Sequence, residues 1–202
     1  KGTIAILVRA RSHLAQIAPA LQAAGLRYRA IEIERLGHRP VIQDLLALTR
    51  ALLHPADRIA WLAILRAPWC GLTLADLHAL AAGDHHAALW DLMQNPAIID
   101  LLSADGKCRL ERVRSVLQTA LAQRQRRTLR LWTEGVWLAL GGPACVQAGA
   151  DLEDARVFFE LLEHMHTEGN PSGCMRIEER VEKLFALPDM EADESLQLMT
   201  IH

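Results

Sequence analysis

The pattern of apolar and polar residues predicts strands near both ends of the chain and helices between them. Residues 3–8 (TIAILV) form a short, continuous apolar run with β-branched members, which is typical of a buried parallel strand. Residues 28–33 (YRAIEI) alternate between apolar and polar side chains, and this two-residue period predicts a second strand. The two runs therefore mark the beginning of a β-containing region.

The segment between these strands has helical periodicity. Its apolar positions recur every three or four residues, at Leu14, Ile17, Leu21 and Ala24. Ser12 is a suitable N-cap, and Gly25 stands where a helix commonly ends in a left-handed residue. Strand, helix and strand together form a βαβ unit of about 30 residues. Such a unit requires a parallel sheet, and two strands alone would leave its faces uncovered.

From Pro40 onward the apolar spacing predicts one helix after another. Pro40 suits the first turn of a helix whose apolar face ends before Pro55. Further helices are predicted at residues 56–66, 73–82 (capped by Thr73), 86–94, 107–124, 128–140, 151–168 and 175–186. No repeat of fixed period recurs, which argues against a solenoid.

After Pro188 an acidic stretch leads to LQLMTI, residues 196–201, which predicts one more strand. Its available partners are the first two strands, so residues 4–8 and 196–201 are expected to lie in one parallel sheet. The predicted fold class is mostly α, with a helical insertion domain at residues 35–194. Residues 1–34 and 195–202 would form a parallel α/β sheet into which the helical domain is inserted. We expect this sheet to be truncated in this chain.

Composition supports a helical chain and narrows the classes of function. Alanine and leucine dominate, and aromatic residues make up only 4% of the sequence. The net charge of −2 provides no general attraction to nucleic acid or an anionic membrane, so such binding would depend on local patches. The four cysteines form no CxxC pair, which favours free thiols and a cytoplasmic location. No apolar run is long enough to span a membrane.

Several segments, taken in chain order, resemble superfamily 1 DNA helicases of the UvrD/Rep type. Residues 5–14 (AILVRARSHL) resemble a strand ending in arginine and the helix after it, and residues 25–29 (GLRYR) match a following G-(I/L)-x-Y-R step. Residues 36–57 resemble the segment that enters the inserted domain called 2B, and residues 65–77 (LRAPWCGLTLADL) resemble the next 2B element. LQLMTIH, residues 196–202, resembles the start of the fifth helicase motif, in which a strand ends in Thr-x-His.

The resemblance implies that the chain is part of an ATP-dependent DNA helicase acting in repair and recombination. Residues 1–34 and 195–202 would belong to the RecA-like domain 2A, and residues 35–194 to domain 2B. The partners would be single-stranded and duplex DNA, with no membrane. ATP and Mg²⁺ would bind to the full-length parent rather than here, because the chain lacks a G-x-x-x-x-G-K-[ST] phosphate loop.

The branch of the family and a rival interpretation remain open. The Leu-Arg-x-Pro wording of residues 65–68 is closer to the helicase–nucleases AddA and RecB than to UvrD itself. That branch would imply an exodeoxyribonuclease V-like activity in the parent and a second helicase–nuclease subunit as partner. The alternative is a free-standing helical protein-interaction module without catalysis.

Three residues at predicted strand ends are candidates for a grip on single-stranded DNA. Parallel sheets bind ligands at the carboxyl ends of their strands. Thr200 and His202 offer a hydroxyl and a ring N–H to phosphate oxygens, and Arg9 offers a bidentate guanidinium at the equivalent edge of the first strand. The competing interpretations are a plain strand end for Thr200 and His202, and a surface salt bridge for Arg9.

Gly71 and Thr73 are candidates for a duplex contact. In UvrD-like proteins a turn at this place, with two glycines, holds a duplex phosphate through backbone N–H groups at a helix N-terminus. Here Gly71 stands alone between Cys70 and Leu72, which departs from that pattern. Ordinary helix capping by Thr73 is the competing interpretation.

Other polar clusters favour structural interpretations. The basic residues from 109 to 130 are diluted by Glu111 and Glu134 and are interpreted as a solvated helix face. The histidine pairs at 85–86 and 164/166 do not share a helix face, so metal binding is disfavoured. The five tryptophans are spread along the helices and are expected to lie in the core.

Overall fold

A computed structural model describes most of the chain. The described residues are 3–8, 17, 20–21, 24–26, 29–31, 35–124, 126–146, 149–167, 174–184 and 196–200. They form a small parallel sheet and a larger helical body. The mostly helical fold class with a small α/β sheet is therefore confirmed.

The sheet has three strands in the order β1-β3-β2, and all of its pairs are parallel. The strands are β1 (Ile4–Val8), β2 (Arg29–Ile31) and β3 (Leu196–Thr200). The last strand lies between the first two, in register with Ile4 opposite Leu196 and Arg29 opposite Gln197. The prediction that the two ends of the chain share one parallel sheet is confirmed.

The predicted helix after β1 falls mostly outside the described residues. Residues 17, 20 and 21 are helical where the structure describes them. Gly25 has a φ of 69°, so it adopts the left-handed conformation predicted for the end of this helix.

The helical body begins at Pro40. Its α-helices are α1 (Pro40–Leu53), α2 (Arg58–Arg66), α3 (Leu74–Ala81), α4 (Leu89–Leu92), α5 (Pro96–Ile99), α6 (Ala104–Ala122), α7 (Leu129–Ala139), α8 (Gly149–Thr167) and α9 (Cys174–Val181). Short 3-10 helices occupy Leu36–His38 and Gly142–Cys145. Among the described helices, none is both long and apolar enough to cross a membrane.

The helix predicted over residues 86–94 is shorter in the structure, where α4 spans only Leu89–Leu92. The Asp84 side chain accepts hydrogen bonds from the backbone of His86 and Ala87 at 2.8 and 3.0 Å, which holds these residues in a turn. Asn95 then caps α5, and Pro96 suits its first turn because proline has no N–H to contribute. Local side-chain hydrogen bonds thus override the apolar spacing.

Helix α1 lies at the centre of the helical core. Its buried face includes Ile42, Leu45, Leu48 and Leu52, all fully inaccessible to solvent. It packs against α2, α7, α8 and α9. Burying each leucine stabilises the fold by roughly 1.5–3 kcal/mol. This helix is therefore the element around which the others assemble.

The two segments that connect sheet and helical body run side by side. The Leu36 N–H donates to the Leu184 carbonyl at 2.9 Å. Arg39 pairs with the buried Asp154 at 2.8 Å, which fixes α8 against the beginning of α1. This arrangement suits a helical insertion, but residues 32–34 and 185–195 lie outside the described residues. The boundaries at 34/35 and 194/195 therefore stay predictions.

Candidate nucleic-acid interface

The carboxyl ends of β1 and β3 meet at one edge of the sheet. Val8 is the partner of Thr200 in the parallel register, so the residues that follow each strand leave from the same edge. Thr200 is described through its backbone position, and Arg9 and His202 lie outside the described residues. The edge is arranged as the sequence predicts, and the DNA-binding roles of the three residues stay predictions.

The second candidate is the turn that joins α2 to α3. Gly71 has a φ of 67°, a left-handed conformation that favours glycine. The N–H groups of Cys70 and Gly71 donate to the Ala67 carbonyl at 2.9 and 2.8 Å, and the N–H of Leu72 donates to the Leu65 carbonyl at 3.0 Å. These three backbone donors are therefore engaged within the protein.

Thr73 caps α3, as the competing interpretation expects. Its hydroxyl oxygen accepts a hydrogen bond from the Asp76 N–H at 3.1 Å and donates one to the Asp76 carboxylate at 2.7 Å. Thr73, Leu74 and Ala75 are exposed, so the first turn of α3 faces solvent. Capping by Thr73 is confirmed, and a phosphate contact at this helix end stays a prediction.

Asp76 joins the N-termini of two helices. Its side chain is 3% exposed and accepts hydrogen bonds from the backbone and hydroxyl of Ser103, at 2.7 and 3.1 Å. The Ser103 hydroxyl in turn accepts from the Gly106 N–H at 3.0 Å and so caps α6. Hydrogen bonds from Thr73 and Ser103 lower the pKa of Asp76 below its ordinary value. The carboxylate therefore stays ionised at neutral pH and stabilises both helix ends.

The Asp76–Ser103 link is a feature that sequence reasoning missed. The spacing of Thr73 and Asp76 is that of a capping box, in which an acidic residue stands three positions after the cap. That signal identifies half of the arrangement. The bond to Ser103 spans 27 residues and leaves no local pattern.

Two arginines of α6 lie against the turn. Arg109 donates to the Cys70 carbonyl at 3.3 Å, and Arg112 donates to the Trp69 carbonyl. A Cβ added to Gly71 would lie 2.9 Å from Nη1 at the flexible end of Arg109, so the positive φ is the main reason for glycine here. Burial raises the pKa of the Cys70 thiol to about 11, although the charges of Arg112 and Arg109 oppose this rise. The thiol is therefore protonated, with both guanidinium groups nearby.

The interpretation of the basic residues as one solvated face holds for only part of them. Arg126 and Arg127 are exposed. The others make specific contacts: Arg114 donates to the Met93 carbonyl at 3.4 Å, Arg124 donates to the Leu53 carbonyl at 2.7 Å, and Arg130 pairs with Glu134 at 3.3 Å. The first part of α6 thus uses its arginines to hold neighbouring loops.

The tryptophans belong to the core. Trp61, Trp69, Trp132 and Trp137 are at most 6% exposed, and Trp90 packs on Trp61 with ring centroids 5.6 Å apart. This prediction is confirmed. Within the part of the chain that the structure describes, no three or more His, Cys, Asp or Glu side chains converge as metal ligands would.

A small parallel sheet joined to a larger helical body, with two arginines against the turn before α3, defines a mostly helical chain with an α/β part. Comparison with known families assigns it further: residues 1–101 match the UvrD-like helicase C-terminal domain. The chain belongs to this family. No curated protein sequence matches it.

Proposed function

We propose that the chain is the 2A–2B part of an ATP-dependent DNA helicase that translocates on single-stranded DNA and unwinds duplex in repair or recombination. The observation that carries the proposal is the family match, which covers both early strands and the first helices. The central position of β3 supports it, because the candidate strand-end residues then leave from one edge of the sheet. The interaction-module alternative has no comparable support.

In this proposal Arg9, Thr200 and His202 hold the backbone of single-stranded DNA. Val8 and Thr200 are partners in the sheet, so a ligand at this edge would meet residues from both strands. A guanidinium, a hydroxyl and an imidazole N–H bind phosphate oxygens without reading base sequence. A translocating motor requires this independence of base sequence, since every nucleotide must pass the same contacts.

The residues described here do not fit a nucleotide site. The nearest sequence to a phosphate loop is Gly106-Lys107-Cys108, and all three residues lie inside α6. A Cβ added to Gly106 would be 2.8 Å from the Asp76 carboxylate, which is repulsive to phosphate. We therefore propose that ATP and Mg²⁺ bind to another part of the parent protein.

We further propose that the parent belongs to the AddA/RecB-like helicase–nuclease branch and works with a second subunit. The support is the Leu65-Arg66-x-Pro68 sequence. In the structure Arg66 ends α2 with an exposed side chain, and Pro68 opens the turn that contacts α6. Nuclease activity of the purified parent, measured on linear duplex with ATP, tests this branch.

The central experiment compares the full-length parent with the 202-residue chain. We expect the parent to hydrolyse ATP faster when single-stranded DNA is added and to unwind a tailed duplex. We expect the 202-residue chain alone to hydrolyse no ATP, with or without DNA. A parent whose ATPase ignores single-stranded DNA would contradict the proposed function.

A further inference from the structure

We infer that this chain contacts duplex DNA through the guanidinium groups of Arg109 and Arg112, and not through the backbone N–H groups of the turn that they hold. The inference rests on the proposed helicase function. It assigns the duplex contact to side chains on α6, more than 30 residues beyond the turn in sequence.

The backbone donors of the turn are already engaged. Cys70, Gly71 and Leu72 direct their N–H groups to carbonyls at the end of α2, at 2.8–3.0 Å. Releasing them to a phosphate would leave two buried carbonyl partners with fewer hydrogen bonds, which costs about 1–3 kcal/mol per unsatisfied group. The turn is therefore built as a support rather than as an anion cradle.

The two arginines retain most of their donors. A guanidinium has five N–H groups. Arg112 directs one to the Trp69 carbonyl, and Arg109 uses its Nη1 for the Cys70 carbonyl and its Nε for Asp105 at 2.5 Å. Residues three apart on a helix share a face. The carbonyls that hold them belong to consecutive residues, whose Cα atoms are about 3.8 Å apart, so both guanidinium groups lie against the same turn.

The local charge favours an anion. Among the described residues Arg112 has no acidic partner, and its side chain is exposed. The carboxylate paired with Arg109 belongs to Asp105, which is 68% exposed, so this ion pair is weak and open to exchange with phosphate. Arg66, at the end of α2, adds a third exposed positive charge before the turn.

Duplex backbone is the ligand class that this surface suits. Binding of unpaired bases relies on exposed aromatic rings for stacking. None of the aromatic side chains that the structure describes is exposed, and Trp69, beneath the arginines, is 3% exposed with its indole N–H on the Ile64 carbonyl at 3.1 Å. Guanidinium groups without a stacking platform bind phosphates independently of sequence.

The test measures binding of a short blunt duplex to the 202-residue chain by fluorescence anisotropy, between about 50 and 200 mM salt. We expect R109Q/R112Q to bind roughly 100-fold more weakly, about tenfold per lost charged contact. The slope of log affinity against log salt should fall in magnitude by about 1.8. The charge-matched R126Q/R127Q variant should change affinity less than about threefold, because Arg126 and Arg127 lie beyond the end of α6, which is itself about 15 Å past Arg112, and their charges are screened.

A double lysine variant distinguishes the loss of positive charge from the loss of folding. R109K/R112K retains both positive charges and should recover most of the salt slope, while thermal melting checks that each variant is folded. If R109Q/R112Q binds as the wild type does, or if both glutamine pairs weaken binding equally, the arginine site is wrong and the helicase proposal stands. If the wild-type chain binds no duplex, the duplex contact is wrong. The proposed function is then judged separately, by the DNA-stimulated ATPase of the parent.

Discussion

Val8 lies directly opposite Thr200 in the parallel register of β1 and β3. The two residues end their strands at one edge of the sheet, although they stand at opposite ends of the chain. Arg9 and His202 follow these positions in sequence. A ligand at this edge would therefore be reached from both strands, which makes the predicted single-strand grip open to mutational test.

Replacing Arg9 by alanine in the full-length parent should weaken its affinity for single-stranded DNA about tenfold or more, because a charged phosphate contact is lost. The DNA-stimulated ATPase should fall far more than the basal rate, since the proposed nucleotide contacts lie elsewhere. The salt slope should decrease by about 0.7, the value for one phosphate on a single strand. Thr200→Ala and His202→Ala should weaken binding, and Thr200→Ala should leave the slope unchanged.

Arg127→Ala is the matched control, because it removes the same charge from an exposed position on the helical body. It should leave single-strand affinity and salt slope almost unchanged. An Arg9→Ala variant with wild-type affinity and slope, together with a weakened Arg127→Ala variant, would move the DNA site from the sheet edge to the basic helix.

Asp76→Asn should lower the free energy of unfolding by about 1.5–3 kcal/mol at pH 7, because the hydrogen bonds from Thr73 and Ser103 lose their charged acceptor. The folded-state pKa of Asp76 is lowered, so its stabilisation is fully present above the ordinary value of 3.8 and is lost as the pH falls through the folded value. The difference between variant and wild type in urea denaturation should therefore shrink below about pH 4.

Asp91→Asn provides the comparison, since it removes the same charge from an exposed side chain. It should change stability by less than about 0.5 kcal/mol. Equal effects at positions 76 and 91 would mean that the link between the two helix N-termini contributes nothing specific.

Asp44→Asn should raise the free energy of unfolding at high pH, whereas Asp76→Asn lowers it. Burial raises the pKa of Asp44 from 3.8 to about 6, in a cleft of about 370 Å³ whose other ionisable groups are Arg35, His38, Arg50, Glu178 and Glu182. A raised folded-state pKa means that the ionised form destabilises the protein at high pH. The variant should be more stable by about 1–3 kcal/mol at pH 8, and this gain should disappear between about pH 6 and pH 4. A loss of stability at pH 8 would show that the carboxylate makes a stabilising contact.

Gly142→Ala should lower the free energy of unfolding by at least about 2 kcal/mol. The added Cβ would lie 2.0 Å from Nε1 of the buried Trp137, so one of the two must move. The melting temperature should fall by about 4–8 °C. Gly135→Ala, with nothing within 4 Å of its Cβ, should instead raise stability by about 0.5–1 kcal/mol, because alanine favours the interior of α7. Similar melting temperatures for the two variants would contradict the close packing of Trp137.

Local signals in the sequence were sufficient for the elements themselves. Thr73 and Pro40 mark helix beginnings that the structure confirms, since a cap or a helix-starting proline acts on the neighbouring turn alone. The parallel pairing of the chain ends also followed from sequence, because a late strand can be satisfied only by the early ones. The late start of the helix predicted over residues 86–94 was missed because the Asp84 turn outweighs apolar spacing.

The sequence by itself determined a helical body between strands of one parallel sheet and the helicase family that this order suggests. Tertiary structure alone decided that β3 is central, that Asp76 joins two helices, and that Arg109 and Arg112 hold the turn before α3. The physical reason is the distance along the sequence over which each interaction acts. Caps and periodicity act within a few residues, whereas these contacts join residues 27 to 43 positions apart, or opposite ends of the chain, and depend on how the packed elements meet.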